Sequence, residues 1–175
     1  DSLDFNKLPI PFACVAENIA KGEEYDFHSG VLSTAMRASM AIPGVFTPVR
    51  LDSMVLIDGG VVNNYPVNVA KQMGADVIIG VDVQSSLKPA NELENAGAIL
   101  GQLIDLMGQD NYVKNVKETD VYIKVNVKGY SAASFTKNAI DSLIHRGLIA
   151  AEGQKDALMK LKKEIGLPEN YQPKR

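Results

Sequence analysis

Cysteine and histidine are scarce in this sequence, with one cysteine, Cys14, and two histidines in 175 residues. A single cysteine excludes an internal disulfide, and so few sulfur and imidazole ligands exclude a zinc site built from them. Cys14 lies in the apolar stretch 11–16, which favours a buried and unreactive thiol. We therefore expect no structural metal.

Long apolar runs and clusters of positive charge are also missing. The longest apolar stretches, such as residues 77–81, are far shorter than the roughly 20 residues that a membrane span needs. The 18 Lys and Arg residues against 21 Asp and Glu residues give a net charge of -3. Because no long basic cluster is present, nucleic acid is not an expected partner.

Two catalytic signatures cannot be found in these residues. There is no Gly-x-Ser-x-Gly nucleophile elbow, and there is no glycine-rich phosphate-binding loop of the Gly-x-Gly-x-x-Gly or Walker type. The first absence leaves the chain without a recognisable serine nucleophile. The second leaves no nucleotide site, and we expect no cofactor.

The sequence does contain a regular alternation of strand and helix patterns. Hydrophobic residues make up 46% and charged residues 22% of a chain the size of one domain, which is typical of a globular fold. Short runs rich in β-forming residues predict strands. These runs are 12–16, 24–27, 54–57, 77–83 and 121–127. The run 77–83 is nearly continuous in β-branched residues, which is typical of a strand covered on both faces. We expect the runs 12–16, 54–57, 77–83 and 121–127 to lie in one largely parallel sheet.

Helical spacing of apolar residues separates these strands. The predicted helices are 31–40 with Ser29 as N-cap, 66–73 ending at Gly74, 93–116 with breaks, and 138–165 split or bent at Gly147 and Gly153. A turn at Lys21-Gly22 should join the first two strands, and the tail after Gly166 should be loosely held. The fold class is therefore α/β, with a three-layer α/β/α arrangement around the sheet.

Asp58 is the strongest candidate for chemistry that the spacing alone provides. It closes the run 54–57 and precedes Gly59 and Gly60, which allow backbone conformations closed to other residues. Ligands of open α/β sheets bind at the carboxyl ends of strands, where such a carboxylate could act as a base. Asp-Gly is also a common turn pair, so a purely structural turn remains open. Asp82 and the two histidines, His28 and His145, are weaker candidates.

Three motifs in order resemble one known family. They are RASMAIPGVFTPV at 37–49, LIDGGVVNNYPV at 56–67 and GAD at 74–76. Together they look like the C-terminal half of a patatin-like phospholipase domain of the bacterial type. The resemblance is close over residues 8–83 and weaker over the helix 140–158. It implies that residues 1–175 are the C-terminal portion of such a domain, cut from a longer protein.

The resemblance implies a serine lipid acyl hydrolase that uses a Ser/Asp dyad. Asp58 corresponds to the aspartate that takes the proton from the nucleophilic serine, and the substrate would be a phospholipid or another acyl ester. The family's serine elbow and oxyanion loop belong to its N-terminal half. This chain alone should therefore be inactive.

Residues on both sides of Asp58 in the sequence are expected to line the site. Gly59, Gly60, Pro43 and Phe46 are the candidate wall residues, and an apolar strip of Met40, Ile42, Val45 and Phe46 could meet an acyl chain. A packed core loop is the alternative for this strip. Asn63 and Asn64 are expected to cap the helix that Pro66 opens.

Two other functions remain open on the sequence. The chain could belong to a non-catalytic interaction domain with the same fold, or to an acyltransferase that uses the same dyad with an acceptor other than water. We also expect peripheral membrane contact, and self-association through apolar surface left uncovered by the missing half. Cytoplasm, periplasm and the outer membrane are all compatible with the sequence.

Overall fold

The structure, a computed structural model, describes residues 2–166. The chain divides into two compact units. The first consists of Asp1–Ile78 with Ser86–Glu118, and the second of Ile79–Ser85 with Thr119–Arg175. The tail after Gly166, predicted to be loosely held, lies outside the described residues.

Short strands and helices alternate along the chain, as the periodicity predicts. The strands are β1 Leu3–Asp4, β2 Cys14–Asn18, β3 Glu23–Phe27, β4 Ser29–Gly30, β5 Val49–Leu51, β6 Met54–Asp58, β7 Ile79–Asp82 and β8 Val121–Lys124. The helices are α1 Leu32–Ser39, α2 Gly60–Asn63, α3 Val67–Gln72, α4 Ala96–Met107, α5 Gln109–Lys117, α6 Lys137–Glu152 and α7 Lys155–Glu164. Single 3-10 turns lie at Phe5–Lys7 and Ala90–Glu92. The α/β class is confirmed.

The main sheet of the first unit is antiparallel, in the order β3-β2-β6-β5. The predicted turn at Lys21-Gly22 closes the β2-β3 hairpin, where Gly22 has a φ of 70° and its N–H donates to the Asn18 carbonyl at 2.8 Å. A second hairpin joins β5 to β6, with Asp52 in its turn at a φ of 52°. These tight turns require antiparallel neighbours because parallel strands need a long crossover.

The core of the first unit lies between this sheet and α1. Its buried side chains come from the 3-10 turn, the strands and the helix, and they are Phe5, Ala16, Phe27, Ala35, Ala38 and Leu56. Small alanines at two positions of α1 let the helix approach β2 and β6 closely. The core thus anchors the strand that ends at Asp58.

The expectation of one largely parallel sheet is wrong in the structure. The runs at 12–16 and 54–57 give β2 and β6, which pair antiparallel, whereas 77–83 and 121–127 give β7 and β8 in a separate parallel pair. A continuous apolar run indicates that a strand is buried, but it carries no information about the strand's partner or direction. Only β7 and β8 have the parallel geometry that was expected of all four.

The second unit consists of the β7-β8 pair and the helices that follow it. Helix α6 packs on β8, whose Val121 and Ile123 are buried, while Ile79 and Val81 of β7 are about half exposed. The expectation that 77–83 is covered on both faces is therefore wrong for the described residues. Uncovered apolar surface is present, as predicted, and self-association through it stays a prediction.

Two of the predicted helices are broken at glycines, whereas the predicted N-cap residue of α1 does not cap it. The predicted helix 138–165 is split at Gly153, and the predicted 93–116 helix is broken at Gly108. Ser29 does not cap α1, because it pairs with Asp4 in the β1-β4 ladder and Val31 is the N-cap residue. Glycine breaks helices through its own backbone, whereas a cap also depends on the surrounding chain.

Candidate active site

Asp58 is the last residue of β6 and lies beside Ala16 of β2 in the antiparallel pair. Its backbone N–H donates to the carbonyl of Ala41 at 3.1 Å. This bond joins the end of β6 to the segment that contains Pro43. The structure therefore brings together the two segments that the sequence singled out, the Asp58 turn and the Pro43 segment.

The two glycines after Asp58 are required by space rather than by unusual backbone angles. Neither Gly59 nor Gly60 has a positive φ, contrary to the expectation from the motif. A Cβ on Gly59 would overlap the backbone carbonyl of Val15, and one on Gly60 would lie 3.0 Å from Oδ1 of Asp58. The turn thus passes directly against β2, which only glycine permits at the first position.

The Asp58 carboxylate is half-buried and has one hydrogen bond from the turn that follows it. The N–H of Gly60 donates to Oδ1 at 2.7 Å. Among residues 2–166, no cationic side chain forms a salt bridge with Asp58. Burial raises the pKa of Asp58, and the Gly60 N–H opposes that change. A carboxylate with a raised pKa is a stronger base than one in water.

The segment around Pro43 forms a compact turn with exposed apolar side chains. The carbonyl of Ile42 accepts from the N–H groups of Val45 and Phe46, both at 3.0 Å, and Gly44 has a φ of 80°. Val45 is 64% exposed and Phe46 is 40% exposed. Among the described residues, therefore, Val45 and Phe46 are not packed into a core.

Arg37 at the end of α1 holds the same turn from its far side. Its Nη2 donates to the carbonyl of Thr47 at 2.9 Å, and the guanidinium lies 5.2 Å from the centre of the Phe46 ring. A hydrogen bond and a cation–π contact on neighbouring residues fix the turn on the helix. Arg37 thus positions Phe46, a role that its place in the motif did not reveal.

A buried cluster of amide side chains lies behind the Asp58 turn, and the sequence did not predict it. Asn115 of α5 donates to the side chain of Asn63 at 3.1 Å and to the Tyr65 carbonyl at 2.8 Å, and Asn63 donates to Glu24 at 2.7 Å. The N–H of Asn68 donates to Oδ1 of Asn115 at 3.2 Å, so Asn115 caps α3. The expectation that Asn63 or Asn64 caps this helix is wrong, since α3 has no side-chain cap from its own N-cap residue.

The comparison with known families follows the same segment. Residues 1–71 match the patatin-like phospholipase family. The resemblance drawn from the motifs is confirmed over this patatin-like segment, which includes Asp58, the Pro43 turn and α2. It ends before β7.

Relatives of the patatin-like segment occur in bacteria and fungi. One NTE family protein of Mycobacterium tuberculosis is 38% identical over 89 residues, or 50% of this chain and 25% of that protein. A second is 31% identical over 118 residues, or 64% of this chain and 20% of that protein. A lysophospholipase of Aspergillus fumigatus is 38% identical over 76 residues, or 43% of this chain and 5% of that protein. The chain spans a quarter or less of the length of these relatives.

The weaker candidates lie outside this arrangement. Asp82 is buried in the second unit, where Tyr122 and Lys124 donate to its Oδ2 and the Gln84 N–H donates to Oδ1 at 2.8 Å. His145 is an exposed residue of α6. Cys14 is half-buried rather than fully buried as predicted, and this burial raises the pKa of its thiol, which favours an unreactive cysteine.

No candidate metal centre lies near Asp58 in the part of the chain that the structure describes. Within the described residues, no group of three or more His, Cys, Asp or Glu side chains could hold a metal ion. No helix among them is long and apolar enough to cross a bilayer. An apolar cavity of about 340 Å³ lies in the second unit, between Val83, Val125, Tyr130 and Leu143, and the patatin-like segment does not line it.

Proposed function

We propose that this chain supplies the aspartate of a Ser/Asp dyad in a lipid acyl hydrolase, with Asp58 as the general base. The observation that carries the proposal is the Asp58 carboxylate itself, half-buried at a strand end, with a raised pKa and no cationic partner among residues 2–166. The family match and the names of its relatives support a lipid ester as substrate. Residues 1–175 would then be the C-terminal portion of the catalytic domain.

The chemistry proposed for Asp58 is proton transfer to and from the reacting groups. The carboxylate accepts the proton of a serine hydroxyl as the serine oxygen attacks the ester carbonyl carbon. It then returns this proton to the leaving alcohol when the tetrahedral intermediate collapses to the acyl-enzyme. Water then attacks the carbonyl carbon of the acyl-enzyme and loses a proton to Asp58. Asp58 passes this proton to the serine oxygen as the acyl–serine bond breaks, which releases the fatty acid and restores the serine hydroxyl. The serine and the oxyanion donors would come from residues outside this chain, which has no Gly-x-Ser-x-Gly motif.

The Pro43 turn would supply the apolar wall of the site. The hydrogen bond from the Asp58 N–H to the Ala41 carbonyl connects this turn to Asp58, and the hydrogen bond from Arg37 to the Thr47 carbonyl holds its other end. The exposed side chains of Val45 and Phe46 offer an acyl chain an apolar surface next to the base. Gly59 and Gly60 would keep the turn close to β2, so that the carboxylate stays at the strand end.

Asp58→Asn in a protein that carries the family's serine motif tests this role. The amide keeps the size of the side chain and removes its basicity, so hydrolysis of a short acyl ester should fall by roughly 10² to 10⁴, as expected for loss of a general base. The matched control is Asp52→Asn. Asp52 lies six positions earlier in an exposed turn at a φ of 52°, which asparagine tolerates well. Normal turnover by the Asp58 variant would overturn the dyad.

A further inference from the structure

Helix α2 is a single turn, and its first residue supplies the hydrogen bond that the Asp58 carboxylate receives. The helix has four residues, and the Gly60 N–H donates to Oδ1 of Asp58 at 2.7 Å. One turn of helix is unstable on its own, because fixing its backbone costs more conformational entropy than its few hydrogen bonds offset. The direction of the Gly60 N–H therefore depends on the contacts that hold α2 in the first unit.

Asn63, the last residue of α2, connects this turn to three other elements and is 2% exposed. Its Nδ2 donates to Oε1 of Glu24 in β3 at 2.7 Å and to Oδ1 of Asn68 in α3 at 2.9 Å. Its Oδ1 accepts from Nδ2 of Asn115 in α5 at 3.1 Å. One buried amide thus bonds α2 to a strand and to two helices.

The backbone of α2 connects this amide to the Asp58 turn. The N–H groups of Val62 and Asn63 both donate to the Gly59 carbonyl, at 3.1 and 2.8 Å. Gly59 lies against the Val15 carbonyl of β2, where a Cβ would overlap. The start of the turn is therefore confined by β2, and its end is bonded to β3, the neighbour of β2 in the sheet. Both ends of α2 are fixed to the sheet that carries Asp58.

Helix α5 holds α2 from a second direction in the sequence. Nδ2 of Asn111 donates to the Val62 carbonyl at 3.0 Å, and Asn115, four positions later, bonds to Asn63. A buried amide that loses its partners leaves polar groups without either water or protein to bond, which costs stability. Asn63 is the member of the amide cluster that belongs to α2, so its replacement should loosen α2 directly.

We propose that Asn63 is a positioning residue for the hydrolysis and holds α2 so that the Gly60 N–H stays on the Asp58 carboxylate. This inference rests on the proposed function, in which Asp58 is the general base. With Oδ1 occupied by the Gly60 N–H, Oδ2 is the oxygen that takes the proton of the serine. Asn63 acts through the backbone of α2, and it matters because a small misplacement of a catalytic group slows the reaction strongly.

Asn63→Ala in a protein that carries this segment together with the family's serine motif tests the effect on the reaction. The variant should lower kcat for a short acyl ester by roughly ten- to a hundredfold, because the carboxylate is no longer held in one orientation. KM should stay within about twofold, since the apolar wall at the Pro43 turn is unchanged and uniform binding of the substrate is retained.

The Gly60 amide proton gives a readout that a loss of stability alone would not move. An amide proton that is bonded to a carboxylate changes its NMR shift when the carboxylate is protonated, so this resonance should titrate with Asp58. In Asn63→Ala the resonance should move upfield and its titration should shrink. Molecules that had lost only stability would keep the wild-type resonance as long as they were folded.

The matched control is Asn18→Ala, at the other end of β2. Asn18 is 3% exposed, and its Oδ1 accepts from the N–H groups of Ala20 and Val55, both at 3.3 Å. The control variant therefore also loses the bonds of a buried asparagine and should be less stable than the wild type. It should leave kcat and the Gly60 titration unchanged, because none of these bonds reaches α2.

Exchanging the donor and the acceptor between α2 and β3 tests the bond itself. Asn63→Asp places a carboxylate against Glu24 and should slow hydrolysis at least as much as Asn63→Ala. Adding Glu24→Gln returns a donating amide to this contact, now from the side of β3, while the Asn68 amide can rotate to donate as well. The double variant should be about tenfold faster than Asn63→Asp, as expected for a coupled pair.

Three results would overturn the positioning role. They are a folded Asn63→Ala variant with unchanged kcat and Gly60 titration, equal changes in Asn18→Ala, and no recovery in the double variant. Glu24→Ala removes only the β3 partner of Asn63 and should give the same changes in smaller amount. This milder variant keeps the proposal open to refutation if Asn63→Ala does not fold.

The positioning role and the dyad can fail separately, because the Gly60 titration is measured without catalysis. Normal turnover by Asp58→Asn overturns the dyad and takes from Asn63 its part in hydrolysis, while a changed titration in Asn63→Ala still shows that Asn63 holds the Asp58 turn. An unchanged titration in Asn63→Ala, together with an inactive Asp58→Asn variant, overturns the positioning role and leaves the dyad standing.

Discussion

Asp58 and Asp82 each end a strand, yet their surroundings are opposite. Asp82 is 1% exposed and is held by the Lys124 ammonium at 2.8 Å, by Tyr122 and by the Gln84 N–H. Asp58 is less buried and receives the Gly60 N–H, with no salt bridge within residues 2–166. The more deeply buried aspartate is thus the better compensated one.

The difference is the one expected between a structural carboxylate and a reactive one. A buried charge that is fully paired has little tendency to take up a proton from a substrate, since its partners stabilise the ionised form. A partly buried carboxylate without a cation is destabilised when ionised, and it accepts a proton more readily. The position at a strand end is common to both, so position alone cannot assign a role.

The largest effect on stability should come from removing the partner of Asp82. Lys124→Met deletes the ammonium and leaves a buried carboxylate without its cation, which should lower the free energy of unfolding by about 3 kcal/mol. Urea denaturation of the second unit measures this loss. The matched control is Lys71→Met, which breaks the Lys71–Glu118 pair of the same kind at 2.9 Å.

The control should cost less than about 1 kcal/mol, because both side chains of that pair are about half exposed and water screens the interaction. If both variants lost the same free energy of unfolding, burial would not make the Lys124–Asp82 pair stronger than the exposed Lys71–Glu118 pair. The contrast with Asp58 would then rest on hydrogen bonding alone.

Gly59→Ala tests whether space at the Asp58 turn is as tight as the structure shows. The new methyl group overlaps the Val15 carbonyl, so the backbone of β2 or of the turn must move, at a cost of about 2 kcal/mol. Gly101→Ala in α4 is the control. A Cβ there meets nothing within 4 Å, and alanine should be neutral or stabilise the helix by up to about 1 kcal/mol. A neutral Gly59 variant would show that the turn is not confined by β2.

The smallest effect is a pH dependence that Asp58→Asn should remove. Burial raises the folded-state pKa of Asp58 above its ordinary value of 3.8, so the folded state binds the proton more tightly than the unfolded chain. The stability that this group contributes is present below that value and is lost as the pH rises through the raised pKa. Between acid and neutral pH, the free energy of unfolding of the asparagine variant should therefore rise relative to that of the wild type by less than about 1 kcal/mol.

Chemical unfolding at a series of pH values measures this difference, with Asp52→Asn as the matched control. A variant that loses stability relative to the wild type as the pH rises would contradict the raised pKa. It would also place Asp58 with Asp82 among the compensated carboxylates.

Local elements of this fold could be predicted well, whereas their arrangement could not. Gly22 and Gly153 marked a turn and a helix break because glycine acts through its own backbone. The run 54–57 marked β6 to within one residue. The antiparallel pairing of β2 with β6 depends on contacts between distant segments, and no periodicity reports those.

The site was predictable only where a motif carries it. Asp58 was a candidate from its position at a strand end, and the resemblance added its expected role and the Pro43 turn. The structure connects the two through Ala41. The Asn63–Asn68–Asn115 cluster was missed because isolated asparagines are typical of loops and caps. One signal was present: Asn111 and Asn115 recur four positions apart, on one face of α5.

The amide cluster behind Asp58 also has a consequence for the order in which the chain can fold. The bonds of Asn115 reach Asn68, Tyr65 and Asn63 across 47, 50 and 52 positions of sequence. Closing so long a loop costs conformational entropy before any of these bonds is formed. The β2-β3 hairpin and the β5-β6 hairpin close within a few residues and need no such search. The proposed base therefore lies on β6, a strand that can form early. Helices α2 and α3 behind it are fixed only after α5, which is distant in the sequence, has packed against them.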